Sequence, residues 1–252
     1  SVVTWGNSAM GGDSSAVVDK IDGTIKVVQI FSTSGAFAAL RADGSVITWG
    51  YATEGNYVYG GDSSSIANKL DGAIDVVQVF STQSAFAALR ADGSVVTWGV
   101  SGYGGDSNTV ANKLDGFIKV VQVFSNDTAF AALREDGSVV TWGVDGFGGN
   151  SSAVASKLDG TIKVVQVFST TDSFAALRAD GSVVTWGNSS SGGDSRAVAS
   201  KIDGTIDVVQ VFSTQSAFAA LRADGSVVTW GHTMYGGDSS VYGGIVAQSL
   251  AN

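Results

Sequence analysis

Phe218-Ala219-Ala220-Leu221-Arg222-Ala223-Asp224-Gly225-Ser226-Val227-Val228-Thr229-Trp230-Gly231 is the stretch that decides the fold, because near-copies of it end at Trp49, Trp98, Trp142 and Trp186. Two apolar runs rich in β-branched and aromatic residues flank an Asp-Gly pair, the pattern of a two-residue hairpin. Each copy is therefore predicted to be strand, type I′ turn, strand. Tryptophans at 5, 49, 98, 142, 186 and 230 are spaced 44, 49, 44, 44 and 44 residues, and periods of that size mark solenoids or propellers. The one longer period carries five extra residues between Trp49 and the Gly60-Gly61 pair.

Outward from the hairpin, each unit adds a variable loop after the tryptophan and a Gly-Gly-Asp-Ser-Ser segment. A small apolar piece follows, such as Ala153-Val154-Ala155, which is predicted to be a short strand. Then come a second turn at Lys157-Leu158-Asp159-Gly160 and the run Val164-Val165-Gln166-Val167-Phe168. That run is apolar at nearly every position, which predicts a strand covered on both faces. Its Gln166, like Gln29, Gln78, Gln122 and Gln210, is then a buried amide in need of partners. Four short strands per 44 residues match a propeller blade, and 34 glycines with abundant Val, Ser and Thr disfavour helix.

Composition narrows the function classes. A net charge of −9 argues against nucleic acid and anionic membrane surfaces, both of which need clustered Lys and Arg. No apolar run is long enough to insert in a membrane as a helix. Zero cysteines exclude disulfides and thiolate metal sites. Ser1 begins in mid-repeat, so no signal peptide is read at the start.

The pattern Ala-Leu, polar residues, Gly, Val-Val or Val-Ile, Thr-Trp-Gly, with a Gly-Gly pair further on, resembles the regulator-of-chromosome-condensation repeat family. It is most similar to the variant carried by the secreted propeller-type β-lactamase inhibitor, whose blades have a Val-Ile-Ala-Trp-Gly strand. The resemblance covers essentially the whole chain and implies a β-propeller. Gly-Gly-Asp stands where that family usually has Gly-Gln, the repeats are short, and there are too few for seven blades. The variable loops share nothing with either relative, so no binding residue carries over.

The expected architecture is thus all-β, one propeller domain over residues 1–252, with five complete four-stranded blades and a composite sixth. Val2 to Trp5 and the tail Val241 to Asn252, where Ile245-Val246-Ala247-Gln248 resembles a missing strand, would close the ring and remove its edges. The alternative is an open arc of a longer array. The repeated tryptophans are read as core, and the paired alanines as sites of close sheet approach. Arg41, Arg90, Arg134, Arg178 and Arg222 read as scaffold ion pairs. Asp13, Asp62, Asp106, Asn150, Asp194 and Asp238 read as Asx-turn residues, since one carboxylate per blade cannot fill a calcium shell.

With the Val-Val-Gln-Val-Phe strand running upward, every variable stretch falls on the top face and the repeated Asp-Gly turns on the bottom. Function carried by loops on a rigid scaffold belongs on top. The candidate contact residues are Tyr51, Glu54, Tyr57 and Tyr59 of the insertion, Tyr103, Phe147, Asn126, Asp127, Asp172, His232 and Tyr235. The sequence implies no enzyme, since His232 is the only histidine and no nucleophile is paired with a base. It implies no cofactor and no metal. The expected function is a non-enzymatic binding or spacer module of a secreted or cell-surface repetitive protein, extracellular, with a protein partner or self-association. The rivals are a carbohydrate-binding, lectin-like propeller and a protein inhibitor of an extracellular enzyme. Divergent loops favour protein contact over a multivalent sugar, which would keep its sites alike.

Overall fold

The computed structural model describes residues 1–51, 53–54 and 57–239. Five antiparallel sheets of three strands each follow one another along the chain. They are β1 Val27–Ser32, β2 Ala36–Arg41 and β3 Val46–Gly50, then, after a two-stranded ribbon of β4 Thr53–Glu54 and β5 Tyr57–Val58, β6 Val76–Ser81, β7 Ala85–Arg90 and β8 Val95–Gly99. The third sheet is β9 Val120–Ser125, β10 Ala129–Arg134 and β11 Val139–Gly143. The fourth is β12 Val164–Ser169, β13 Ser173–Arg178 and β14 Val183–Gly187, and the fifth β15 Val208–Ser213, β16 Ala217–Arg222 and β17 Val227–Gly231.

The fourth strand expected in each blade is a 3₁₀ helix instead. Ser64–Lys69, Asn108–Lys113, Ser152–Lys157 and Arg196–Lys201 take that form. The Asx turns at their starts explain why. Asp62, Asp106, Asn150 and Asp194 each accept from the backbone N–H two residues on, at 2.8, 2.9, 2.9 and 3.0 Å, which curls the chain before a strand can begin.

The hairpin turns also differ from expectation. Among the described residues no non-glycine residue has positive φ, which excludes the type I′ geometry for Asp-Gly. Arg90 N–H donates to Ser94 O and Gly93 N–H to Arg90 O, with Gly93 at φ 82. This is a three-residue loop, a type I turn followed by a left-handed glycine. Asp92 Oδ1 accepts from both the N–H and the Oγ of Ser94, at 2.9 and 2.6 Å, and the serine makes this wider turn the better satisfied one. The expected ion pairs form beside it, with Arg41 3.0 Å from Asp43 and Arg134 3.5 Å from Asp136.

In the second to fifth sheets the first strand is covered on one face only. Val76 pairs with Arg90 and Gln78 with Leu89, leaving Val77 as an extra, bulged residue. The bulge sets Val77 and Gln78 both toward solvent while Val76 and Val79 stay buried. The glutamines are therefore exposed rather than buried amides, and the same register shift recurs in all five sheets.

Adjacent sheets pack face to face through one repeated junction. Between the second and third sheets, Ala85, Ala87, Leu89 and Val95 meet Val120, Val123, Phe130, Ala132, Val140 and Trp142, with Leu114 of the connecting segment between them. Alanines buried on both faces of each middle strand permit this approach, as expected. Val120 N–H donates to Gly93 O across the junction at 2.9 Å, and Trp142 Nε1–H reaches Gly104 O at 3.0 Å. The indole stacks on Phe130 at 5.2 Å. Burying such a ring contributes about 2 to 5 kcal/mol at roughly 25 cal/mol per Å² before entropy is subtracted.

Four such junctions join the five sheets. Among the described residues the two outermost faces have no sheet against them, and Val2 to Trp5 belongs to no strand. Val2 N–H donates to Ile21 O at 3.0 Å, but Trp5 is 85% exposed, unlike the other five tryptophans. The tail residues assigned to a composite sixth blade lie outside the described residues.

Candidate interaction surface

One end of every sheet carries the loops that differ between repeats, and backbone bonds tie them together. Ser34 N–H donates to Gln83 O, Gln83 N–H to Asp127 O, Asp127 N–H to Thr171 O and Thr171 N–H to Gln215 O, at 2.8, 2.8, 3.2 and 2.9 Å. The second set of loops hangs on the same end, since Val100, Asn188 and His232 N–H donate to Ser84, Asp172 and Ser216 O. The opposite end is built from the Asp-Gly turns, which pack on one another across each junction: a Cβ added at Gly116 would lie 2.9 Å from Asp92 O. The variable residues thus share one face, as the repeat comparison implied.

Within that face the candidates separate into framework and surface. Asn126 is buried: Oδ1 accepts from Thr128 and Ala129 N–H, and Nδ2 donates to Phe147 O at 2.7 Å. Threonine holds the equivalent place elsewhere, and Thr82 Oγ1 makes the matching bond to Tyr103 O at 3.0 Å. Asn126 is therefore a loop brace rather than a contact residue. Tyr103 packs half-buried on the junction cluster, and Phe147 is half-buried with its carbonyl used by Asn126, so both also brace the loops.

The polar centre of the face is a shallow concavity of about 530 Å³ lined by hydroxyl and amide groups of four repeats, including Thr33, Ser81, Gln83 and Thr171, and by Asp127. Asp127 Oδ2 accepts from Gln83 Nε2 at 2.7 Å. Asp172 sits on the adjacent repeat, where burial and the negative charge of Asp127 push its carboxyl above the usual range against a weak bond from Ser191. Sequence placed both carboxylates on this face, but only the tertiary structure shows that they sense each other.

Aromatic rings rise at both ends of the array. Tyr51 and Tyr59 meet edge to face at 4.9 Å, and a Cβ on Gly35 would lie 3.3 Å from Tyr51 Cβ, so the missing side chain at 35 makes room for that ring. Glu54 and Tyr57 lie on the β4–β5 ribbon, where Glu54 pairs with Tyr57, and their side chains are outside the described residues. His232 Nδ1 accepts from Met234 N–H, and its ring stands 5.1 Å from that of Tyr235. Sequence reasoning passed over Phe117, which is 89% exposed on the otherwise uniform Asp-Gly end. Its counterparts are Thr24, Ala73, Thr161 and Thr205, so an internal alignment of the turns carries the signal.

No metal-binding group of three or more His, Cys, Asp or Glu occurs among the described residues, and no helix there is long and apolar enough to cross a membrane.

No family model matches the chain, and no curated protein matches it. Solved structures do. Prp20p from Saccharomyces cerevisiae, described with its binding to Gsp1p and histones, aligns at TM-score 0.51 and 17% identity over 84% of this chain and 58% of its own. The same yeast protein, named yeast RCC1 in a second structure, aligns at 0.49 and 17% over 84% and 57%. The ectodomain of the Physcomitrella patens receptor kinase CR4 aligns at 0.48 and 16% over 82% and 52%. The chain thus spans little more than half the length of these structures. The likeness to Prp20p, together with five successive antiparallel sheets, establishes an all-β, RCC1-like propeller fold.

Proposed function

We propose that this chain is a non-enzymatic binding module that contacts a protein partner through its variable face. The observation that carries the reading is the asymmetry between the two ends of the sheets. One end repeats the same satisfied turn five times, while the other holds divergent loops on a continuous backbone ladder from Ser34 to Gln215. A rigid platform with dissimilar loops suits one irregular partner surface. The contact set is Asp127, Asp172, His232, Tyr235 and the insertion with Tyr51, Glu54, Tyr57 and Tyr59. A secreted or cell-surface setting fits the small share of charged residues, 15%, and the resemblance of the repeats to those of the extracellular inhibitor. The neighbour Prp20p is itself described as binding proteins. For architecture, the open arc is the reading that the described residues favour, since among them the ladder runs from Ser34 to Gln215 and the tail needed to close a ring lies outside them.

Binding measured with three chains tests this: the natural one, one with the insertion shortened to the length of Val100 to Tyr103 and Asp127 and Asp172 changed to Ala, and one with Phe117→Thr. Loss of a partner from native-source extract in the second chain alone is expected. Equal binding by the first two would overturn the reading. The hydroxyl-lined concavity favours carbohydrate as the second reading, and a glycan array that binds the natural chain would select it.

A further inference from the structure

The four internal junctions define what each sheet face packs against, and among the described residues one half of a junction is left without a facing sheet at each end. The trailing half comprises Phe212, Ala217, Ala219, Leu221 and Val227 of the fifth sheet, the counterparts of Phe80, Ala85, Ala87, Leu89 and Val95. The leading half comprises Val27, Ile30, Phe37, Ala39, Ile47 and Trp49 of the first sheet, with Ile21 standing where Leu114 stands in the junction. These residues are apolar like their counterparts, yet several of them stand exposed, while Ala217, Ala39, Trp49 and Ile21 remain buried. Val227 is 57% exposed where Val95 is 8%, and Ile30 is 43% exposed where Val123 is 2%. A Cβ added at each internal hairpin glycine would lie within 3 Å of the next repeat, whereas one at Gly225 would meet nothing within 4 Å.

We infer that a second copy of this chain docks head to tail, with the trailing face of one fifth sheet on the leading face of the partner copy's first sheet. The two faces cannot meet within one described arc, since each is exposed while the four junctions between them are closed. This interface continues the internal junction: Gly225 O receives the Val27 N–H that has no Gly partner of its own, as Gly93 O receives Val120 N–H.

One stretch is present twice. Ser1–Gly6 and Ser226–Gly231 are both Ser-Val-Val-Thr-Trp-Gly. Ser1–Gly6 lies where the outer strand of a preceding sheet belongs, held by Val2 N–H to Ile21 O and by Thr4 Oγ1 to Ser14 Oγ at 2.9 Å. Docking therefore exchanges strands. β17 of the incoming copy takes over those contacts with identical residues, and the segment after it yields to Asn7–Ser14, whose Gly11 O already accepts from Trp49 Nε1 at 3.1 Å. The exchange conserves the polar contacts and adds the burial of both apolar faces. Head-to-tail contacts of this kind build rings or open filaments, according to the rotation per step.

Val227 and Ile30 lie on sheet faces and not in the variable loops, so substitutions there test the docking apart from the proposed function, although the exchange itself moves the loop with His232 and Tyr235. Sedimentation velocity over a concentration series reads the association. The natural chain is expected to exceed the mass of one chain as concentration rises. Val227→Asp destroys every trailing face and Ile30→Asp every leading face, so each variant alone is expected to be monomeric, with apparent Kd raised at least tenfold. Mixed one to one they retain one good junction, and a complex that stops at two chains is expected. Deleting Ser1–Gly6 removes the competing strand and is expected to tighten association. Circular dichroism and denaturant midpoints within error of the natural chain show that the exposed substitutions leave the fold intact. A natural chain that stays monomeric throughout, association that survives both substitutions, or a mixture that fails to form the two-chain complex would each overturn the inference.

Discussion

Trp142 and Trp5 sit in the same six-residue pattern, yet one is 3% exposed and the other 85%. Trp142 has Phe130 beneath it, Gly104 O at its indole nitrogen and a neighbouring sheet against it. Trp5 belongs to no strand and stands largely in solvent. The difference teaches that a repeat of this fold is not a stable unit by itself: its strongest side chain works only when both halves of a junction are present.

The comparison breaks most sharply at the tryptophans. Trp142→Ala is expected to lower stability by about 3 to 5 kcal/mol, and Trp5→Ala by less than about 0.5, in urea denaturation of the natural chain and each variant. Similar losses at both sites would mean that Trp5 is covered in solution.

The hairpin glycines give the next largest contrast. Gly137 and Gly225 both have φ of 82, but a Cβ at Gly137 would lie 2.5 Å from Lys163 Cβ. Alanine at 225 carries only the left-handed backbone strain, about 1 kcal/mol, whereas at 137 overpacking adds roughly 1 to 3 more. Equal midpoints for the two variants would show that the internal junction yields without cost.

Asn126 sharpens the distinction between brace and surface. Asn126→Ala removes three bonds from a buried loop and is expected to cost about 1 to 3 kcal/mol, while Asn126→Thr restores the side chain used by the sister repeats and recovers most of it. A threonine variant no better than alanine would refute the equivalence.

The smallest effect is on pH. Burial raises the hairpin carboxylates, but bonds from the following serine and the nearby arginine outweigh it and hold Asp92 and Asp136 below their ordinary 3.8. At Asp194 the bonds from Arg196 lower it to about 2. A depressed folded value stabilises above the unfolded one, so the contribution is full above about pH 4 and is lost as pH falls toward the folded values. Asp172 has the opposite sign: its raised carboxyl disfavours the folded state once ionised, so Asp172→Asn is expected to be neutral or slightly stabilising at pH 7. Urea midpoints from pH 7 to 2 check both signs, and an Asp172→Asn chain clearly weaker at pH 7 would contradict the second.

Much of this was legible in the repeats. Tryptophan spacing, the Asp-Gly hairpins and the alanine pairs led to successive antiparallel sheets with buried indoles, because periodicity and turn chemistry are local. The variable face was legible too, since it follows from comparing repeats with one another. Three readings failed where a local cue competed with a neighbour. Asx turns replaced the short fourth strand with a 3₁₀ helix, the serine after Asp-Gly opened the two-residue turn to three, and the bulge at Val77 turned Gln78 outward. Of the candidate residues, sequence gathered the variable loops on one face, as the structure does, but could not tell Asn126 the brace from Asp127 beside it.

By itself, then, the sequence determined the repeat, the strand hairpins, the residues able to fill a junction and the end of the sheets where variation collects. Which tryptophan is core, which glutamine is wet, which carboxylates feel each other and which two faces lack a partner were decided by tertiary structure alone. The physical reason is that burial and desolvation belong to pairs of surfaces, and residues alike in sequence differ only in what lies across from them.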